Sequence, residues 1–142
     1  MKDRTKHFVS VAGVVIKNSK ILTIQRNDNK HWQIPGGLLD KEEKIIDGLR
    51  REILEETNIE IQNPVITGIY HHLDQGTFSM VFKCDFLEGE TKCSDETDKV
   101  EWMEYSTIEE LFKPAFSIRV KDAIDYKGKM IIRQHNGEEL ID

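Results

Sequence analysis

Glu52, Glu55 and Glu56 fall within five residues, in the run Arg51-Glu52-Ile53-Leu54-Glu55-Glu56-Thr57, in a chain whose 26 Asp and Glu already outnumber its 20 Lys and Arg. At about 100° per residue, a helix that sets Ile45 at zero spreads Ile45, Leu49, Ile53 and Ile46 from roughly 0° to roughly 100°. Glu56 then lands at about 20°, inside the apolar stripe, with Glu52 at about 340° and Glu55 at about 280° on its flank. Gly48, at about 300° on the same strip, is expected to leave open space above the carboxylates. A solvated charged face with Lys44, Arg50 and Arg51 as partners is the plain alternative. It fits poorly, because like charges one turn apart repel and a carboxylate on an apolar stripe needs a partner. A hard divalent cation resolves the conflict: Mg²⁺ takes a few carboxylate oxygens, waters and phosphate oxygens of a substrate.

The elements that must hold this strip can be read along the 142 residues, enough for one domain with a core of its own. Apolar residues make up 38% and charged residues 32%, the balance of a soluble globular chain. The net charge of −6 argues against a broad basic face for nucleic acid or anionic lipid, so no DNA or membrane partner is indicated. No apolar run reaches membrane-spanning length, and Met1 to Ser10 lacks the apolar core of a signal peptide, which reads as cytoplasmic. Cys84 and Cys93 read as reduced thiols rather than a disulfide or a metal pair.

Phe8–Lys17 and Lys20–Arg26 are β-branched runs around Asn18-Ser19, the pattern of a hairpin. Pro35-Gly36-Gly37 is expected to end any strand. From Lys44 the period turns helical. Two strand-like runs follow, one ending at Tyr70-His71-His72, then a polar loop and a short strand around Trp102. Thr107, with Glu110 three residues on, predicts a capping box at the start of a helix. A second amphipathic helix is predicted with Phe116, Ile118, Val120, Ala123 and Ile124 as its apolar set. Asn136-Gly137 predicts a two-residue hairpin turn at the end. Strands, helix, strands, helix make a single mixed α/β domain.

Gly37, five residues, Glu43, seven residues, then Arg51-Glu52-Ile53-Leu54-Glu55-Glu56-Thr57-Asn58-Ile59 resembles the Nudix box. One specified position differs: Asn58 stands where the family usually has glycine. That position follows a helix end, where left-handed backbone is common and Asn is the next best residue. The resemblance spans Gly37 to Ile59, with Trp32, Pro35-Gly36 and Glu101-Trp102-Met103 as fitting flanks. It implies one domain over residues 1–142 with the Nudix fold, an α/β (α+β) mixed sheet between helices. It also implies a Mg²⁺-dependent hydrolase, with Mn²⁺ able to substitute, that cleaves a phosphoanhydride in a nucleotide or nucleoside diphosphate derivative by attack of water at phosphorus. Carried over by position, Glu52, Glu55 and Glu56 would bind the metal with the Gly36 carbonyl. Arg51 would orient Glu52, and Glu43 would support the metal shell or pair with Arg51. The metal would screen the diphosphate and lower the pKa of water, and a carboxylate would take the proton.

The base is open between Glu52 and an acidic residue ahead of the late strand. Glu96, five residues before Glu101, resembles in spacing the extra metal-binding glutamate of the mutator-type pyrophosphatases; Asp95 and Asp98 are alternatives. Phe116 stands where those enzymes carry a base-reading asparagine, which weakens an oxidised-guanine reading. It could stack on a base instead. Arg26 is a candidate phosphate contact. Tyr70 ends a strand that could line the pocket, and of His71 and His72 only one should face it. Trp32 is expected to pack under the Pro-Gly-Gly turn, and His7, His31 and His135 to be solvent or turn residues. A non-catalytic nucleotide sensor and an RNA 5′-end pyrophosphohydrolase are the competing functions. A homodimer is compatible with the resemblance.

Overall fold

The computed structural model describes residues 4–142; the part of the amino-terminal reading that rests on residues 1–3 lies outside them. The first hairpin forms as its sequence predicts. β1 (Phe8–Lys17) and β2 (Lys20–Arg26) pair antiparallel with Lys17 opposite Lys20, and Asn18 and Ser19 take φ of 50° and 64°. Two left-handed central residues give the turn whose twist matches the strands.

β3 (Trp32–Gln33) pairs with β2, and β4 (Gly36–Leu38) pairs with β1. The Pro-Gly-Gly run therefore does not end strand structure: Gly36 and Gly37 themselves form a short strand against Ala12 and Val11. A Cβ on Gly36 would run into the Val11 carbonyl and Ala12, so the close approach requires glycine there. β5 (Glu60–His72) and β6 (Thr77–Glu88) form a long antiparallel pair, and β6 lies parallel to β1 over nine residue pairs. β7 (Thr97–Met103) returns to β2, and β8 (Ile131–His135) adds parallel to β5. β9 (Leu140–Ile141) closes the chain on β8, so the turn after His135 has four residues, 136–139, where two were expected.

β1 is central and buried on both faces, so its alternation distributes side chains to two cores. Val11 and Val15 pack with Leu49 and Ile53 of α1 (Ile45–Thr57). Ala12 and Val14 pack with Ile108 of α2 (Tyr105–Leu111) and with Val120 and Ala123 of α3 (Pro114–Ile124). The sheet thus lies between α1 on one face and α2 and α3 on the other, as expected. α2 begins two residues ahead of Thr107, from Glu104 as N-cap with no side-chain cap bond, so no capping box forms. On α3 the buried face carries Arg119 and Asp122 beside Ala115, Val120 and Ala123, whereas Ile124 is exposed. Asn58 ends α1 at φ 64°, its N–H on the Leu54 carbonyl, the left-handed role the sequence assigns it. Both cysteines are free, Cys84 buried and Cys93 exposed. Among the described residues no helix is long and apolar enough to cross a membrane.

Candidate active site

α1 turns its acidic strip toward β4, and the contact is close. The Gly36 N–H donates to Glu56 Oε1 at 2.7 Å. A Cβ on Gly37 would lie 2.5 Å from Glu52 Cδ, so a bare backbone is what lets the two elements meet. Gly48 does not open space as expected: a Cβ there would strike Leu39 and come within 2.9 Å of Glu43 Oε1. This glycine allows the segment that carries Glu43 to lie against the helix.

Arg51 organises one side of the strip. Its Nε and Nη2 grip both oxygens of Glu43 at 2.6 and 2.9 Å, and Nη1 reaches Glu52 at 3.0 Å and Glu55 at 3.3 Å. This fork holds the Glu43 carboxyl down to about 2 and raises the guanidinium. Glu52 has the Arg51 contact, yet burial still pushes its pKa up. Glu56 is more isolated. It is 7% exposed, and among the described residues only the Gly36 N–H bonds to it. Burial, with the charges of Glu52 and Glu96 adding, pushes it up to about 7 against the pull of Gly36 N–H and Arg26.

Glu96 is therefore near enough to act on Glu52 and Glu56. Its loop is tied to the end of β2, where the Asn27 N–H donates to the Glu96 carbonyl at 3.0 Å. Of the two alternatives, Asp98 is engaged by Lys30, and the Asp95 carbonyl accepts from the Asn27 side chain. Arg26 faces the same end of the cleft, its guanidinium forked onto Asp28 at 2.6 and 2.9 Å.

Among the described residues no three acidic, His or Cys side chains form a ready-made metal cage. The donor set nevertheless suits Mg²⁺. Its oxygens are hard, the buried Glu56 has no ion pair among the described residues, and Mg²⁺ usually takes only one or two carboxylates, the rest being water and phosphate.

A cleft of about 720 Å³ extends from Arg26 and the Gly36-Gly37 backbone to α3, lined by Trp32 and Phe116 among others. Trp32 lines it as well as packing, and Phe116 stands on its wall, while of the histidine pair His72 faces it and His71 stacks on Phe78 instead. Tyr70 does not reach the cleft. It is fully buried beneath α3, its hydroxyl donating to Asp122 at 2.7 Å, which corrects its assignment as a substrate contact. His135, read as a solvent or turn residue, is fully buried on the cleft wall beside Arg119, which is only 6% exposed. Both are cleft residues that sequence reasoning missed. The available signal was Arg119 itself, a charge on the apolar stripe of α3, the same anomaly that marks Glu56 on α1.

The NUDIX domain model matches residues 6–123. A MutT-like protein of Streptomyces ambofaciens is 37% identical over 136 residues, 95% of this chain and 88% of that protein. An ADP-ribose pyrophosphatase of Methanocaldococcus jannaschii is 30% identical over 110 residues, 72% of this chain and 65% of that protein. The crystal structure of a NUDIX hydrolase from Nitrosomonas europaea superposes with a TM-score of 0.80 at 18% identity, over 94% of this chain and 82% of that one.

Proposed function

The chain belongs to the NUDIX domain family and is a Nudix-type pyrophosphate hydrolase, and from that premise we propose that it is Mg²⁺-dependent and cleaves a phosphoanhydride in a nucleoside diphosphate derivative or related nucleotide. The observation that carries the proposal is Glu56, buried beside the Gly36 N–H with the charges of Glu52 and Glu96 acting on it and no ion pair of its own among the described residues. Such a site is incomplete without positive charge. Glu52, Glu55 and Glu56, with the Gly36 carbonyl, would hold the metal, which supplies charge neutralisation and water activation when bound.

The remaining roles fall to the chain's own groups. Arg51 fixes the Glu52 carboxylate through Nη1 while its other edge is anchored on Glu43, so Glu52 is held at one angle. Glu52 and Glu96 are the two candidates to take the proton from attacking water. Burial raises the basicity of Glu52, and the charge of Glu96 bears on both Glu52 and Glu56. Arg26 would meet a phosphate at the mouth, exchanging its surface partner Asp28 for the substrate. Phe116 offers a face for a base. The acidic chain, with no membrane-spanning helix among its described residues, fits a cytoplasmic enzyme acting on small nucleotides.

The experiment is a phosphate-release screen at alkaline pH with Mg²⁺, across nucleoside triphosphates, nucleotide sugars, ADP-ribose and dinucleoside polyphosphates, with Glu56→Gln as blank. Turnover that chelator abolishes, that Mg²⁺ or Mn²⁺ restores, and that the variant lacks is the expected result. Metal-independent turnover, or turnover undiminished in folded Glu56→Gln, would refute it.

A further inference from the structure

The far end of the cleft is built from hydrogen-bond donors with too few acceptors. Arg119 is 6% exposed, yet no ion pair reaches it among the described residues. Asp122, three residues on, is already taken. Arg133 grips it through two bonds of 2.8 Å, and the Tyr70 hydroxyl donates to it at 2.7 Å. Arg119 Nε is buried with no hydrogen-bond partner among the described residues. The guanidinium lies 4.7 Å from the Phe116 ring centre and 5.0 Å from that of Tyr70, so its plane is held between aromatic walls.

Its one polar neighbour deepens the shortage. Arg119 Nη2 sits 3.1 Å from His135 Nε2, while the Gly137 N–H donates to His135 Nδ1 at 3.0 Å. A neutral imidazole that accepts at Nδ1 carries its proton at Nε2. That proton then faces the Arg119 N–H, donor against donor. Burial and the Arg119 charge hold His135 neutral, its pKa down to about 4. Arg119 Nε thus has no acceptor among the described residues, and Arg119 Nη2 and His135 Nε2 meet as two donors. A buried unsatisfied donor costs about 1–3 kcal/mol, so the arrangement suits a ligand that brings oxygen.

Resting on the hydrolase reading for the rest of the cleft, we propose that Arg119 and His135 form a receptor for the carbonyl edge of a nucleobase, selecting bases with an oxo group at purine C6 or pyrimidine C4 over those with an amino group there. The surroundings favour a base over a second phosphate. Ile34, Trp32, Leu111 and Phe116 give the cleft apolar walls, and Lys113 at the same end is engaged by Glu138. A guanidinium edge pairs with two adjacent acceptors, as guanine O6 and N7 present, whereas the amino group of adenine or cytosine would add a fourth donor.

The test is equilibrium binding of GMP, UMP, AMP and CMP to the full-length, metal-free protein in chelator, by calorimetry, with inorganic phosphate as competitor. The expected result is that GMP and UMP bind about tenfold or more tighter than AMP and CMP. Arg119→Lys, which keeps charge but loses the fork, and Arg119→Met should both compress that ratio to within about threefold, with circular dichroism reporting the fold. Equal affinities across the four, a preference for amino bases, no detectable binding, or a preference that survives in both variants would overturn the proposal. So would competition by phosphate that is lost with Arg119 while base identity has no effect. Should the variants not fold, the wild-type ranking alone decides. Because no metal or turnover enters this measurement, its failure leaves the hydrolase reading standing, and the reverse holds too.

Discussion

Glu56→Gln is expected to stabilise the metal-free protein at alkaline pH while abolishing its activity. In the folded chain the Glu56 carboxyl is pushed from its ordinary 4.5 up to about 7. An unfolded chain ionises it near the ordinary value, so between these limits the folded state holds a proton that the unfolded state has lost. Stability from this group is present at low pH and is lost as pH rises through that window. A displacement of this size corresponds to roughly 3 kcal/mol. Gln carries no charge at any pH, and its Oε1 can still accept the Gly36 N–H. Its new amide donor forfeits about 1 kcal/mol if it goes unpaired. The net gain at pH 8 is then about 2 kcal/mol, or roughly 5 °C in Tm for a domain of this size. At pH 4.5, where Glu56 is protonated in the folded state and about half protonated in the unfolded one, the gain should vanish or reverse. Thermal melts of both proteins in chelator from pH 4.5 to 8 measure this. A variant no more stable at pH 8, or a difference that does not change with pH, would refute the account of Glu56 as a buried, unpaired acid.

Gly37→Ala should fold yet lose about a hundredfold in kcat, because its Cβ meets the Glu52 carboxyl and moves that group; normal kcat would show that Glu52 has room to spare. Tyr70→Phe should cost about 1 kcal/mol in chemical denaturation, since Asp122 keeps both Arg133 bonds, and leave kcat/KM within about threefold. A large loss of turnover there would return Tyr70 to the cleft. Asn58→Gly should stay within about 1 kcal/mol of the parent, trading the Asn58 side-chain bond to the Glu90 carbonyl for an unstrained left-handed residue, while Asn58→Ala loses both and should fall by about a further 1 kcal/mol. Denaturant midpoints that ranked Ala above Gly would contradict the left-handed role.

α1 and its carboxylates were legible because one periodic segment carries both the packing face and the chemistry, and Glu56 is conspicuous on an apolar stripe. The same rule would have flagged Arg119, but its meaning depends on Asp122 being occupied by Arg133 and Tyr70, a partnership across α3, β5 and β8 that spacing does not encode. Gly36 and Gly37 read as a strand breaker because their own propensity is poor. Pairing with β1 and the need for bare backbone under Glu52 and Glu56 override that propensity. The Asn136-Gly137 signal located a turn correctly and misjudged its length. Asn136 Oδ1 accepts from the N–H groups of both Glu138 and Glu139, which closes a four-residue loop instead.

The parallel pairing of β1 with β6 has a kinetic consequence. Every partner along it is 69 residues away in sequence, as Ser10 and Ser79 are. β1 also carries β4, and so the Gly36 and Gly37 contacts to the carboxylates, while β5, hydrogen-bonded to β6, carries β8 and with it His135. The β5–β8 partners are likewise far apart in sequence, as Gly68 and Ile131 are, and so are the β2–β7 partners Ile21 and Met103, so the two ends of the cleft meet only when such distant seams close. Loop closure of such spans is slow compared with helix formation. The helical signal should therefore return early in refolding, and the cleft should become able to bind a nucleotide only in the last step.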